Sequence, residues 1–392
     1  MEKSVNNIDH TICTGCMMCS DVCKKSAISF KIEKGFWFPS VNSNLCVNCG
    51  LCVKKCPALH KAPSVSGPIS CYGAKSRNET VRWNSTSGGF FSELAYKIIA
   101  AGGFVIGASY GNDNEILHTI ESTKEGVEKL RQSKYAQSNT AGIYQRVLDL
   151  LKTDVIVLFC GTACHVEALK AFLGKEYTNL LTMDFVCLGI CSPIVYRKYL
   201  DMMERKYMSK INRVWFKNKQ TGWRSIGTQL DFANGKIYYR PGGLDLFMCA
   251  FVGDSIAMRK SCETCKFRKI PHNSDFTVAD FWGVENVRPD KDDNKGLSAV
   301  FVNSEKGVTW FERIAENLDF FETTPESIIN GNFSAVKSKP SGKNRDAFLE
   351  AIESMPFEKA YSKYGTEYTG IKKIRKNISQ LKRVVLNRII KH

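Results

Sequence analysis

Two runs of cysteine constrain this chain more than anything else in it. Cys13, Cys16, Cys19 and Cys23 follow C-x2-C-x2-C-x3-C. Cys46, Cys49, Cys52 and Cys56 repeat the spacing, with Pro57 after the last. A short loop with this spacing wraps one iron–sulfur cubane and offers three thiolates to three irons, while its fourth cysteine reaches the cubane of the other run. The spacing therefore assigns Cys13, Cys16, Cys19 and Cys56 to one 4Fe-4S cluster. Cys46, Cys49, Cys52 and Cys23 go to a second. A structural zinc site takes two separated cysteine pairs rather than four crowded thiols.

This is the pattern of bacterial two-cluster ferredoxins, with Lys24 in place of the usual proline after Cys23. The remaining composition agrees with metal-holding thiols rather than disulfides. The start, "MEKSVNNIDHTICTGC", has no apolar signal segment, and no run approaches the eighteen or more apolar residues of a membrane span. With sixteen cysteines in such a chain, a reducing, cytoplasmic compartment is expected. The 392 residues, 43% of them hydrophobic, suffice for two or three packed units.

Residues 1–60 read as the ferredoxin-type domain and 61–80, containing "KAPSVSGPIS", as a linker. Beyond it strand-like and helix-like segments alternate. "SGGFFSELAYKIIAAGG" reads as a helix, "FVIGASY" as a strand, "DVIVLFC" as a buried strand and "SPIVYRKYLDMMERKY" as a helix begun by Ser-Pro. Such alternation predicts α/β units on a largely parallel sheet. "TQLDFANGKIYYR" adds a hairpin turned at Asn234-Gly235, so part of the second half is antiparallel. The expected fold is α+β or mixed α/β, with a mixed sheet. Segments 81–155 and 156–340 form its two parts, and 341–392 a basic tail.

Eight cysteines remain. Cys164 lies in "FCGTACHVEAL", where a strand gives way to a helix, and Cys187 in "MDFVCLGICSP", at the end of the next strand. Carboxyl ends of strands are where α/β proteins build sites. Cys262 and Cys265 form a distant CxxC. By spacing alone these four are inert core thiols, a zinc or redox CxxC, or ligands of one shared cluster. Five motifs in order add to this. "STSGGFFSELAYKIIAAGG", "LRQSKYAQS", "GTACHVEALKAFL", "DFVCLGICSP" and "SCETCKF…SDFTVADFWG" resemble the family of coenzyme F-420 hydrogenase/dehydrogenase beta subunits over about residues 1–340. The resemblance implies a third 4Fe-4S cluster on Cys164, Cys187, Cys262 and Cys265, beside a flavin, FAD or FMN. Ala163, His165 and Cys191 depart from the family's usual proline, glutamine and proline. Cys71, Cys160, Cys191 and Cys249 are left as core or spare thiols.

For the flavin, the resemblance points to "STSGG" near the phosphates, with Ser87, Gly88 and Gly89 at a helix start. On pattern alone this is an ordinary Ser-capped helix. Lys134 of "SKYAQS" is a candidate to stabilise a reduced flavin, or else a surface lysine. Lys134 and His165 are the candidate catalytic residues. His165 reads equally as a helix-start histidine without a chemical role. Arg259, Lys266 and Arg268 flank the CxxC, as counter-charges or as solvated surface. Asp275 and Asp280 are expected to make structural hydrogen bonds.

The net charge is +16. Residues 371–392 hold eight Lys/Arg and no acid, half of that total. Ile371, Ile374, Ile378, Leu381, Val385 and Ile389 share one helical face. A basic amphipathic helix of this kind fits a membrane surface or a partner, and a helix packed on the body equally well. Nucleic acid is not expected. The function implied is a flavin and iron–sulfur oxidoreductase. It relays electrons between clusters and a flavin that exchanges hydride with an organic acceptor: a deazaflavin in the resembled family, or a polysaccharide-biosynthesis intermediate at the inner membrane face. The alternative is a non-catalytic electron-transfer module docked to a redox partner protein.

Overall fold

The structure, a computed structural model, describes residues 3–60 and 66–366 together with Ile374 and Ile378. The amphipathic pattern expected over 371–392 lies, apart from those two positions, outside the described residues. Among the described residues, no helix is long and apolar enough to cross a membrane.

The N-terminal unit is built as two copies of one device. Helices Met18–Val22 and Leu51–Lys55 each carry the third cysteine of a run, and each starts on a left-handed residue, Met17 or Gly50. Strands β1 (Ile28–Glu33) and β2 (Phe36–Val41) pair antiparallel beside them. Their turn, Lys34-Gly35, has positive φ at both residues, the geometry that matches the twist of a hairpin.

The body holds an eight-stranded sheet. Its strands are β3 (Ser70–Ser76), β4 (Phe104–Tyr110), β5 (Ile116–Glu121), β6 (Val157–Cys160), β7 (Leu180–Phe185), β11 (Phe276–Asp280), β12 (Ser298–Val302) and β13 (Leu318–Glu322). A three-stranded sheet of β8 (Ile211–Asn218), β9 (Gly227–Phe232) and β10 (Ile237–Pro241) accompanies it, with the expected hairpin at Asn234-Gly235. The large sheet runs β13-β3-β12-β11-β7-β6-β4-β5. Only β4, β6, β7 and β11 are mutually parallel; every other pair is antiparallel. The expected mixed sheet is found, and it has a parallel centre with antiparallel flanks where alternation alone suggested mostly parallel pairing. The reason is non-local: β3, from the start of the body, inserts between β12 and β13.

Two expected boundaries also move. The stretch 61–80 contains β3 and the start of helix Glu79–Asn84, so the link is shorter. The stretch after 341 is not all tail. Helices Arg345–Ser354 and Phe357–Tyr364 bury Phe348, Leu349, Ile352, Phe357 and Ala360 in the same core as Tyr196, Tyr199 and Leu200 of helix Pro193–Tyr207. Burial of each large apolar side chain contributes about 1.5–3 kcal/mol, which holds this end to the body.

The two units share a polar seam. Asp21 accepts from the backbone amides of Gly142, Tyr144 and Gln145, at the start of helix Ile143–Leu151, where a carboxylate is favoured. Tyr144 Oη and Thr140 Oγ1 both donate to the Cys16 carbonyl, and Gln137 Nε2 to that of Gly15.

Candidate metal centre

Each cysteine run curls through left-handed residues at matching places: Gly15 and Met17 in the first, Asn48 and Gly50 in the second. Backbone amides in such successive conformations form anion-binding concavities. Cys13, Cys16, Cys19 and Cys56 line one cavity together with Thr14, Met18, Trp37 and Pro57. That is the cross-run grouping expected from the spacing. Of the other four, Cys52 is buried, Cys23 and Cys46 are half-buried and Cys49 is exposed. Burial raises the Cys52 thiol, and a nearby Cys23 adds to the effect.

A second cavity lies in the body. Cys164 enters it from the first turn of helix Ala163–Leu173, just after β6. Cys187 enters from the loop after β7, and Cys262 and Cys265 from the turns before β11. All four line this one cavity with Phe267, Arg268 and His272. Thr14 lines both cavities, and its buried hydroxyl has no hydrogen-bond partner. The two sets of thiols are therefore neighbours across one residue.

Burial pushes the Cys187 thiol up to about 12 and that of Cys262 up to about 11, with neighbouring thiols adding to both. Cys16 is held at about 12 for the same reasons. Such thiols are protonated at neutral pH until a metal displaces the protons. Among the described residues, no three His, Cys, Asp or Glu groups converge closely enough to hold a single metal ion. The thiols instead ring a cavity, as ligands of a multi-iron cluster do.

All three flanking cations are used internally. Arg268 Nη2 donates to the carbonyls of Cys187 and Leu188. Lys266 Nζ reaches the Ala58 and His60 carbonyls of the N-terminal unit. Arg259 is fully buried and donates to the Cys13 carbonyl at 2.7 Å and to Cys13 Sγ at 3.4 Å. A buried guanidinium against this sulfur fits an anionic cluster there. Asp275 accepts from Thr182 and Ser304, and Asp280 from Lys217 and Trp223. Both acids serve structure, as expected. Cys71, Cys160, Cys191 and Cys249 line neither cavity.

The "STSGG" loop departs from its expectation. Ser87 Oγ donates to the Leu297 carbonyl and caps no helix; the capping position is Gly89, with φ +98°. The Gly88 amide is taken by Ser298 Oγ, and a Cβ there would strike the Ala74 carbonyl. Buried Lys219 clamps the loop through the Arg82 and Ser87 carbonyls. Buried Glu93 places a carboxylate in the first helical turn. The two glycines allow close packing here, with Ser87 Oγ and the Gly88 amide already engaged.

Lys134 is no solvated surface lysine. Its amine donates to the carbonyls of Lys129, Arg131 and Gln132, and burial lowers it to about 7. His165 is buried with both ring nitrogens unpartnered, and burial lowers it to about 4. Its ring meets that of His118 edge-on at 5.1 Å. His118 was not singled out in the sequence, nor were Thr14 and His272. His272 pairs through Nδ1 with Asp184 at 2.9 Å. Its position between the CxxC and "SDFTVADFWG" was the available signal.

Comparison with known proteins finds relatives for both parts of the chain. Residues 12–59 match the family model for a 4Fe-4S dicluster domain. Residues 155–327 match that for the C terminus of the coenzyme F-420 hydrogenase/dehydrogenase beta subunit. The chain is 22% identical over 383 residues to the F component of the F(420)H(2) dehydrogenase of Methanosarcina mazei, covering 91% of this chain and 97% of that one. A chain of the F-420-reducing [NiFe] hydrogenase complex from Methanosarcina barkeri aligns at a TM-score of 0.41 and 15% identity, over 78% of this chain and 94% of that one. Residues 12–59 are thus a 4Fe-4S dicluster domain, and residues 155–327 match the C-terminal domain of coenzyme F-420 hydrogenase/dehydrogenase beta subunits.

Proposed function

We propose that this chain is an iron–sulfur electron-transfer oxidoreductase in which twelve cysteines hold three 4Fe-4S clusters in a row. Cys46, Cys49, Cys52 and Cys23 hold the outer one, Cys13, Cys16, Cys19 and Cys56 the middle one, and Cys164, Cys187, Cys262 and Cys265 the inner one. The observation that carries this reading is the pair of thiol-lined cavities sharing Thr14 as a wall. Bound clusters supply one-electron relay chemistry. Support for this order comes from Cys49, which is exposed, whereas the inner four thiols are half-buried and line a cavity of the body.

The finer part of the proposal is a flavin, FAD or FMN, beside the inner thiols. When bound, it supplies the exchange of one hydride for two single electrons. Its support is the family membership of residues 155–327 and the unpartnered, buried His165 imidazole. Its seat is on the His165 and Lys134 side, because the Ser87 loop is committed to packing. The acceptor is a deazaflavin of the F-420 type, and a sugar-nucleotide or lipid-linked sugar is the second candidate. Electrons pass to or from a redox partner protein at the outer cluster.

Anaerobic purification with iron, sulfide and flavin counted per chain tests both levels. About twelve irons with one flavin is the expected result. About eight irons without flavin overturns the three-cluster, hydride-exchanging reading in favour of a non-catalytic relay module. Bleaching of bound flavin by reduced F-420 then tests the acceptor. Cytoplasmic work at a membrane face through residues 371–392 is part of the proposal, and liposome flotation with and without that segment tests it. Equal flotation rejects the lipid contact.

A further inference from the structure

Four arginines of the described chain are buried: Arg82, Arg131, Arg259 and Arg345. Arg82 pairs with Asp293, Arg131 with Glu128 and Arg345 with Asp346. Arg259 differs. Among the described residues no carboxylate lies within ion-pair distance of it. Its guanidinium donates instead to the carbonyls of Cys13 and Trp37, to Gln137 Oε1 and to Cys13 Sγ. The rings of Phe38 and Phe36 stand 4.3 and 5.3 Å from it. An arginine keeps its charge when buried, and a buried charge without an opposite one is costly.

Its place in the chain gives it two neighbours. Arg259 precedes Cys262 by three residues, and the Cys262 amide donates to the Arg259 carbonyl. The side chain meanwhile reaches across the seam to Cys13, a thiol of the middle set. One fixed positive charge therefore touches a thiol of the middle set and acts on Cys262 of the inner set. A cubane on four thiolates is an anion, and gains one more negative charge on reduction. Net charge, hydrogen bonds to the sulfurs and solvent exposure set cluster potentials.

We propose that Arg259 is the fixed counter-charge of the middle and inner clusters, holding their potentials above that of the outer cluster so that electrons collect inside the protein. This rests on the cluster assignment proposed above. Arg259 acts as a positioning residue for charge. Exposed Cys49 has water for its neighbour, where a distant guanidinium is screened.

Redox titration of the anaerobic holoprotein, followed by electron paramagnetic resonance, tests it. Cys262→Ser and Cys49→Ser assign the signals. In the wild type the middle and inner clusters should reduce before the outer one. The reverse order overturns the proposal without any arginine variant. In Arg259→Gln the reduced-to-oxidised ratio of the middle and inner clusters at a fixed potential should fall at least tenfold, about a 59 mV shift for one electron, with the outer cluster unchanged. An iron-replete Arg259→Gln with wild-type potentials overturns it. Where that variant fails to load iron, Arg259→Lys decides. Near-wild-type potentials support the role of charge, and a shift as large as that expected for glutamine rejects it. A wild-type protein with about eight irons or fewer fails at the three-cluster assignment itself, which the iron count reads separately.

Discussion

The outer and inner ends of the thiol row are made of the same residue type in opposite surroundings. Around Cys49 the chain leaves Leu45 and Val47 facing water, at 49% and 61% exposure, with exposed Lys54 five residues on, no acid from 34 to 60, and exposed Lys24 and Lys25 directly after Cys23 of the same set. Around Cys164, Cys187, Cys262 and Cys265 the wall is protein, assembled from three loops. Burial alone disfavours added negative charge, so the inner end would be the harder one to reduce. Arg259 and Arg268 work against that by bringing positive charge to the buried side. Solvent access and electron affinity are thus separable properties, carried by different residues.

The largest expected effect breaks the inner end alone. Cys262→Ser should lose about four irons and keep about eight, and hydride-acceptor turnover should fall at least about a hundredfold. Twelve retained irons would remove this thiol from the ligand set. Next comes the outer end. Charge reversal of Lys54 to Glu, combined with Lys24→Glu, should slow reduction by an acidic electron-carrier protein about tenfold at low salt, and the difference should vanish at high salt. Reduction by a small neutral reagent should not change. Stopped-flow rates across a salt series check this, and a salt-independent defect contradicts it. The join between the ends is a smaller matter. Tyr144→Phe removes one hydrogen bond to the Cys16 carbonyl and should cost about 1 kcal/mol of stability with full iron content. Chemical denaturation reads it.

The smallest contrast is in pH response. Lys134 is lowered by burial from 10.5 to about 7 in the folded protein. Between those values the unfolded chain binds the proton and the folded one does not, so this group makes stability rise with pH. Below about 7 both states are protonated and its slope disappears. Lys134→Met should flatten the rise between about pH 7.5 and 9.5 by at most about 1.4 kcal/mol per pH unit. Parallel stability curves for the two proteins would exclude such a depressed lysine.

What was legible in the sequence follows from how local each feature is. The dicluster pattern lies within two short loops, so spacing alone led to the pairing of Cys56 with the first run. The inner set draws on three separate loops, and only the ordered motifs connected Cys164 and Cys187 to the CxxC. Arg259 read as easily as solvated surface, because nothing beside it in the chain tells that its guanidinium crosses to Cys13. The Ser87–Gly89 stretch is ambiguous for a related reason. Glycines at a helix start suit a phosphate, but they also suit a close approach to the Ala74 carbonyl, and tertiary packing chose the second. Alternating segments likewise predicted parallel pairing, and the β4–β5 and β11–β12 pairs together with the insertion of β3 between distant strands make the flanks antiparallel.

That insertion has a consequence for how the molecule is made. Strand β3 is synthesised first among those of the large sheet, yet both its neighbours, β12 and β13, are among the last. Chains emerge from their N-terminal end, and N-terminal units fold first. The eight thiols of the two runs are therefore available to iron-loading machinery while Cys262 and Cys265 are still unmade. The sheet itself closes later still, when β12 and β13 arrive to flank β3, and the four inner thiols, from loops after β6 and β7 and before β11, are all made before that. The thiols of the molecule thus become available in a fixed order, those of the two N-terminal runs first and Cys262 and Cys265 last.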